Sequence, residues 1–492
     1  MKPTLILIFL LLLQTTTFAQ VSEHRLLVGA PKEATNRYAY LPFEIPAGTK
    51  SFTLTYEYDR KNGANVLDLG VFDSNFDGSE QSIRGFRGWS GGRRGTIFIS
   101  EDAATNGYLP GKLPSGTWRV ILGIYKVVPE GVEVKVTVKL NEIDVAASNE
   151  RLTENAKPLE FPKAGRIAPV SSNGYVWYRG DLHMHTFHSD GHWTLKGLLN
   201  YAQANNLDFI GITEHNTTAH HPELNVLIKN NPDLLVLRGE EVTTYGGHFN
   251  VWGLPDAALI DFRVTPTDIK RLREVLSSVR SLGLPASINH PTALCGGCSW
   301  GYGGDWEGMD SVEIWNGDWD GTDEAALKLW DTLLQKGSRI TAIGSSDSHV
   351  PPTDKKPGSN PSIGTPTTFI GADSLKQSGI FAGLRSRRVF IAENPGQFIS
   401  FISGRSGIGG QIEVKKNENP TFSISVKNFP SGSTIKLISG KGILREETID
   451  KDTFSRDITV ELLNNSYVRL EVRHKNNKML AFTNPIFIRV KQ

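Results

Sequence analysis

The hydrophobic repeat changes period twice along this chain, and that change limits the folds open to it more than any other feature. From about Val21 to Asp144 apolar and polar residues alternate in short runs, as in Ser51-Phe-Thr-Leu-Thr-Tyr56, Trp118-Arg-Val-Ile-Leu-Gly-Ile124 and Val132-Glu-Val-Lys-Val-Thr-Val138. A period of two, punctuated by Gly, Pro and Asn, predicts half-buried antiparallel strands, so residues 21–145 are expected to form a β-sandwich. Residues 146–173 are polar and carry Pro158, Pro162 and Pro169, the composition of a linker. After Tyr175, apolar runs such as Leu207-Asp-Phe-Ile-Gly-Ile212 and Leu234-Leu-Val-Leu237 alternate with segments of helical period. Leu195, Leu198, Leu199 and Ala202 share one helix face. Thr265-Pro266 reads as the N-cap and first-turn proline of a second helix aligning Ile269, Leu272, Leu276 and Val279, and a third runs from about Thr322 to Lys336 before Gly337. Strand-then-helix repetition over residues 174–395 predicts an α/β unit whose functional groups gather at the C-terminal ends of strands. Over residues 396–492 the period returns to two, in Thr421-Phe-Ser-Ile-Ser-Val426 and Tyr467-Val-Arg-Leu-Glu-Val472, and a second β-sandwich is expected.

The first residues read differently. A lone Lys2, an apolar run from Leu5 to Leu13 and the small-residue exit Thr17-Phe18-Ala19 have the form of a secretory signal peptide over residues 1–19. The run is much shorter than the roughly 20 residues a spanning helix needs, and no later stretch spans a membrane, so a periplasmic or secreted protein is expected. Lys plus Arg number 53 against 52 Asp plus Glu, which gives no basic stripe for a phosphate backbone and no expectation of a nucleic-acid partner. The two cysteines, Cys295 and Cys298, stand three apart, and in an oxidising compartment they are expected to form a local disulfide; a structural zinc would need two more ligands.

Ten of the 12 histidines fall between His183 and His349. Histidine is the commonest metal ligand, and such clustering within the α/β segment predicts a metal site. In Gly180-Asp-Leu-His-Met-His-Thr-Phe-His-Ser-Asp-Gly191, residues i and i+2 of a strand share a face, so His183 and His185 can address one metal, with Asp190 in the loop that follows. The apolar strand Phe209-Ile-Gly-Ile212 ends in Thr-Glu-His-Asn216, where His215 is the candidate and Glu214 the alternative. Arg238-Gly-Glu-Glu-Val242 offers Glu240 or Glu241 as a carboxylate able to bridge two cations, and His248 heads the strand after a Gly-Gly turn. Ala286-Ser-Ile-Asn-His290 ends in His290, and Ser345-Ser-Asp-Ser-His349 supplies Asp347 and His349 with the same i, i+2 spacing.

Over roughly residues 175–395 these motifs resemble the PHP (polymerase and histidinol phosphatase) family of metal-dependent phosphoesterases. The His-x-His, the Asp five residues on, a strand-end His, Gly-x-Glu, a downstream His, Asn-His-Pro and the final Asp-x-His are all present. Gly239-Glu-Glu-Val-Thr-Thr244 with Gly247-His-Phe-Asn-Val-Trp-Gly253 resembles the CehA/McbA-type branch, some of whose members cleave aryl carbamates. The resemblance implies a distorted (β/α)7 barrel flanked by the two β-domains, Glu241 rather than Glu240 as ligand, and two or three divalent ions of zinc, manganese or iron.

With nitrogen and oxygen ligands, the nucleophile is expected to be a hydroxide generated on the metal. No Gly-x-Ser-x-Gly elbow between a strand and a helix appears, and a covalent route has little support. The leading expectation is hydrolysis of a phosphomonoester or phosphodiester, on a small-molecule or glycan-linked substrate. A carbamate, amide or carboxylic ester hydrolase is the alternative, and a carbohydrate- or surface-binding protein with a structural metal is the reading from another class. Trp300, in an aromatic loop from Cys295 to Trp319 with Tyr302, Trp306 and Trp315, is expected to wall the substrate pocket. Arg388 is a candidate anion contact, as are Arg238, Lys355 and Lys356, and one of His188, His192, His220 and His221 is a candidate proton donor.

Overall fold

The computed structural model describes residues 20–30, 37–79, 81–141, 170–256, 258–304, 306–352, 362–416, 418–461 and 466–491. The expected signal peptide, nearly all of the expected linker, and Lys355 and Lys356 lie outside the described residues.

The alternating N-terminal runs form two four-stranded antiparallel sheets, one made of Val21–Val28, Val132–Leu140, Ser51–Tyr58 and Thr96–Ser100, the other of Tyr38–Ile45, Gly116–Lys126, Val66–Phe72 and Phe86–Gly91. Every second side chain of Val132–Leu140 is buried, and Phe52, Leu54, Leu69, Trp118 and Val136 meet in the core between the sheets. A sandwich follows from that pattern, because each sheet has one apolar face to cover.

The middle of the chain builds one curled sheet from β1 (Tyr175–Asp181), β2 (Phe209–His215), β3 (Leu235–Thr244), β4 (Gly247–Trp252), β5 (Ala286–Ile288), β6 (Ser311–Asn316), β7 (Thr341–Ser345), β8 (Thr367–Ala372) and β9 (Val389–Ala392). Their spatial order is β7-β6-β5-β4-β3-β2-β1-β8-β9. Strands β1 to β3 are parallel, as are β5 to β7, but β4 runs antiparallel to both of its neighbours and β8 antiparallel to β1. Past the end of β7 the sheet turns back on itself: Met184 bridges Ser348 in parallel, His185 N–H donates to Ser348 O at 3.0 Å, and Asp347 N–H donates to His183 O at 2.9 Å.

A seven-fold β/α repeat is therefore not what is observed. Five α-helices occur among the described residues, α1 (Leu195–Ala204), α2 (His221–Lys229), α3 (Ile269–Ser281), α4 (Gly321–Gln335) and α5 (Gln377–Arg385), and β3 joins β4 through a hairpin with none. Leu195, Leu198, Leu199 and Ala202 are all buried on α1. Helix α3 begins later than Thr265-Pro266 suggests. Asp268 is its N-cap, accepting from Arg271 N, which satisfies a free helical N–H that a preceding proline cannot. In α4, Asp320 and Asp323 make a reciprocal capping box, and Gly337 beyond the C-terminus has φ +88°, as a left-handed stop requires.

The C-terminal segment is a sandwich, but not a separate one. Strand β9 pairs antiparallel with Met479–Thr483, so Ser466–Arg473, Thr434–Ser439 and Gly442–Thr448 continue the central sheet. The sheet containing Phe398–Ser403, Thr421–Lys427 and Thr453–Thr459 covers one face of this extension through Phe401, Phe422, Leu437 and Leu470. The N-terminal sandwich is also fused to the middle. Phe72, Phe76, Trp89 and Ile121 share an apolar cluster with Val242, Phe249 and Phe262, and the Trp89 and Phe262 rings lie 4.8 Å apart. At roughly 1.5–3 kcal/mol for each fully buried large apolar side chain, such a cluster outweighs the freedom of a tethered domain. No helix among the described residues is long and apolar enough to cross a membrane.

Candidate metal centre

Residues in or just past six strands of the curled sheet converge at one of its ends. His183 and His185 lie just past β1, in the segment that pairs with Ser348, and both are fully buried. Residue His215 ends β2 directly opposite Glu241 of β3, and His248 of β4 stands opposite Thr243. His290 follows β5, and Asp347 and His349 follow β7. His290 and Asp347 have positive φ, +26° and +51°, conformations that cost of order 1–3 kcal/mol for residues other than glycine and cluster at functional sites.

All nine expected ligands enter this cluster, which contains four overlapping groups whose ligand atoms lie within 4.8 Å of one another: His185, Asp190, His215 and His349; His183, His185 and Glu241; His183, His290 and Asp347; Glu241, His248 and His290. Four atoms surround one point at the centre of the cluster. Asp347 Oδ1 is 3.3 Å from His183 Nε2 and 3.0 Å from His185 Nε2, and Glu241 Oε2 is 3.4 Å from each of the same two nitrogens. All four atoms are buried without a hydrogen-bond partner. Ligands about 2.0–2.1 Å from a tetrahedral cation stand roughly 3.3–3.4 Å apart, so the donor set fits a divalent ion. The other oxygen of Glu241, Oε1, lies 3.1 Å from His248 Nδ1 and 3.3 Å from His290 Nε2. Asp190 Oδ1 lies 3.2 Å from His349 Nε2 and 3.5 Å from His215 Nε2.

Charge points the same way. Glu241 is fully buried, yet histidines are its only ion-pair partners and those of Asp347 among the described residues. Against the pull of burial these carboxylates raise His183 and His215, so protonated imidazoles balance their charge in the metal-free protein, and a divalent cation can take that place. His185 is pushed down to about 3 by burial and then by the neighbouring His349 and His215, which keeps its imidazole in the neutral form that binds metals.

Both adjacent-residue ambiguities are resolved by strand alternation. Glu214 turns away from the cluster and accepts from the Thr186 N–H at 3.0 Å and from the Thr186 and Ser189 hydroxyls, holding the loop before Asp190. Glu240 points to the opposite face, where its Oε2 accepts from Ile260 N at 2.7 Å and burial raises its carboxyl well above the usual range. Sequence reasoning missed the supporting groups. Glu313 of β6 meets His183 Nδ1 at 3.1 Å and accepts from His290 N at 3.0 Å, and Asn289 donates to Glu241 Oε1 at 2.9 Å. A glutamate inside an apolar strand, in Ser311-Val-Glu-Ile-Trp315, was the available signal.

The substrate contacts require correction. Arg388 lies at the far end of β1: its guanidinium sits 4.2 Å from the Tyr175 ring centre and its Nε donates to Gly371 O at 2.9 Å, roughly 20 Å or more of strand from His183. Arg238 is committed to Asp256 at 2.6 Å. The aromatic side chains of the Cys295–Trp319 loop, Trp300 included, do not line the cavity beside the cluster. Trp300 packs edge-on against Tyr302 at 5.0 Å, Tyr302 is buried with its hydroxyl 2.8 Å from Thr244 Oγ1, and Trp315 and Trp319 pack against Phe482 of the C-terminal segment. Of the flanking histidines, His192 is exposed, His188 lies 3.4 Å from Glu223, and His220 and His221 are buried side by side outside the ligand groups.

A cavity of about 570 Å³ opens beside the cluster and reaches Asp190, His215 and His248. One wall is the Cys295–Cys298 disulfide loop, through Gly296, Gly297 and Cys298; another comes from the N-terminal sandwich, through Asp68, Trp89, Arg93 and Tyr125. A larger cleft of about 890 Å³, between Leu334–Arg339 and the C-terminal strands, includes no residue of the cluster.

No family model and no curated protein matches this chain. Among solved structures, it is similar to a two-domain protein from Bacteroides vulgatus containing a predicted PHP-like metal-dependent phosphoesterase, at 20% identity and TM-score 0.39 over 66% of this chain and 99% of that one. A proposed metal-dependent phosphoesterase from Bifidobacterium adolescentis matches at 16% identity and TM-score 0.27 over 37% of this chain and 92% of its own. An amidohydrolase from Chromobacterium violaceum matches at 16% identity and TM-score 0.26 over 43% and 96%. With each of these TM-scores below 0.5, the chemistry of this chain rests on its own residues.

Proposed function

We propose that this chain is an exported metal-dependent phosphoesterase that holds two or three divalent ions of zinc, manganese or iron. The observation that carries the reading is the set of four buried, unpartnered atoms of His183, His185, Glu241 and Asp347 at 3.0–3.4 Å, with the second oxygen of Glu241 turned toward His248 and His290. A carboxylate whose oxygens face two ligand groups suits a multinuclear centre, and paired cations suit in-line displacement at phosphorus. When bound, such ions neutralise ester oxygens and lower the pKa of water from about 15.7 to roughly 7.

The chain's own residues position that chemistry. Glu313 orients His183 through its other ring nitrogen, and Asn289 fixes Glu241. Glu214 holds the turn that carries Ser189 toward Asp190. Asp190 and His248 face the cavity, so an ester entering it meets the ligands directly.

The test is elemental analysis of the purified protein followed by assays with p-nitrophenyl phosphate, bis(p-nitrophenyl) phosphate, p-nitrophenyl acetate and an aryl carbamate. Two or more equivalents of metal with turnover of a phosphate ester is the expected result. One equivalent or less in active protein rejects the multinuclear centre, and turnover confined to the acetate or carbamate rejects the phosphoester assignment.

A further inference from the structure

Two consecutive arginines of the N-terminal sandwich, Arg93 and Arg94, stand at the mouth of the metal centre and are held in opposite ways. Arg94 is buried and donates to Ser189 O at 3.1 Å and to Phe187 O at 2.6 Å, on the loop that leads into Asp190. Arg93 is exposed, lines the same cavity as Asp190, His215 and His248, and its guanidinium has no hydrogen bond or ion pair among the described residues. It is also the one Lys or Arg among the residues lining that cavity.

The turn that presents Arg93 is fixed from several directions. Arg93 N–H donates to Ser90 O at 3.1 Å, closing the turn. Trp89, just before it, packs on Phe262 in the apolar cluster shared by the two units. In the cavity wall Tyr245 Oη donates to Asp68 Oδ2 at 2.6 Å, and outside it Thr217 Oγ1 donates to Gly107 O at 2.8 Å. Gly107 admits no side chain, because a Cβ there would lie 2.6 Å from His188 O. The sandwich is thus locked against the loop carrying the ligands, and Arg93 is the one cationic side chain it places on the cavity lining.

A guanidinium presents several N–H donors in a planar fork that matches the oxygens of a phosphate or carboxylate, and it stays charged at any working pH. We propose that Arg93 is a specificity-determining residue that binds the anionic oxygens of an oxyanion ester, a phosphate foremost, held at the metal centre. The N-terminal sandwich is then part of the active site. This assignment rests on the phosphoesterase reading for its substrate, but its test is separable from it.

The experiment uses the full chain, metal-loaded, as wild type, Arg93→Gln and Arg93→Lys. Inorganic phosphate is titrated by calorimetry, KM and kcat are measured with p-nitrophenyl phosphate, and metal content is determined for each. Loss of a charge-assisted contact should weaken phosphate binding about 10-fold or more in Arg93→Gln, with the effect falling on KM more than on kcat. Metal content should hold, and Arg93→Lys should recover part of the affinity. Equal phosphate affinity in wild type and Arg93→Gln overturns the assignment, as does an absence of phosphate binding by the metal-loaded wild type. If phosphate binds in an Arg93-dependent way but no phosphate ester is hydrolysed, the assignment stands and the phosphoesterase reading fails.

Discussion

At the scale of the residue, the neighbours Glu240 and Glu241 carry opposite expectations. Glu241 is surrounded by His183, His185, His215, His248 and His290, so Glu241→Gln removes the charge that balances a cation. Activity should fall at least about 100-fold, the upper end for loss of a mere supporting partner, with metal loss seen by elemental analysis. Glu240 accepts from a backbone N–H and is held toward its neutral form by burial, so the uncharged Glu240→Gln should keep both metal and rate. An inactive Glu240→Gln beside an active Glu241→Gln would reverse the assignment. Glu313→Gln tests the support beneath His183: metal affinity or turnover should drop roughly 10- to 100-fold while the fold, followed by circular dichroism, is kept.

At the scale of the element, the curled sheet closes only where side chains leave room. A Cβ on Gly180, in β1, would stand 2.2 Å from the Phe209 ring of β2, so Gly180→Ala forces the two parallel strands to shift. Overpacking of this kind costs about 1–3 kcal/mol, measurable as a lower denaturation midpoint, and it should also weaken metal binding because β1 leads into His183. The disulfide loop behaves differently. Cys295 and Cys298 enclose so short a segment that the stabilisation lost on opening it is about 2 kcal/mol at most, but Gly296, Gly297 and Cys298 line the cavity. Replacing both cysteines by serine should therefore raise KM several-fold while leaving metal content unchanged, and an unaltered KM would remove the loop from the substrate wall. Helix positions were legible from sequence because their apolar stripes are local. The start of α3 was not, because Asp268 and Thr265 are both acceptable caps and the backbone path between them decides.

At the scale of the whole molecule, metal, central sheet and N-terminal sandwich should stabilise one another. Stripping the ions with a chelator removes a ligand of the native state alone, a loss of about 2.7 kcal/mol where metal stands at 100 times its Kd. For a chain of this size, unfolding with about 2 cal/mol/K of entropy per residue, the thermal midpoint should then fall by roughly 3 °C, and adding back the ion should restore it. An unchanged midpoint in protein shown to have lost its metal would mean that the cluster contributes nothing to the fold. Sequence alone specified the alternating sandwiches, the strand-and-helix middle and the histidines and aspartates of the cluster, with Glu241 singled out from Glu240 through the family resemblance, because strand period, helix period and the bunching of histidines at strand ends are local properties of the chain. It could not determine that β4 runs against its neighbours, that the C-terminal strands continue the central sheet through β9, or that Trp315 and Trp319 belong to packing on Phe482. Nor could it place Arg93, which is about 90 residues before the first ligand, beside Asp190, or show that Arg388 lies at the wrong end of β1. Those outcomes depend on which apolar surfaces find each other across long stretches of chain, and that is settled only when the three units pack.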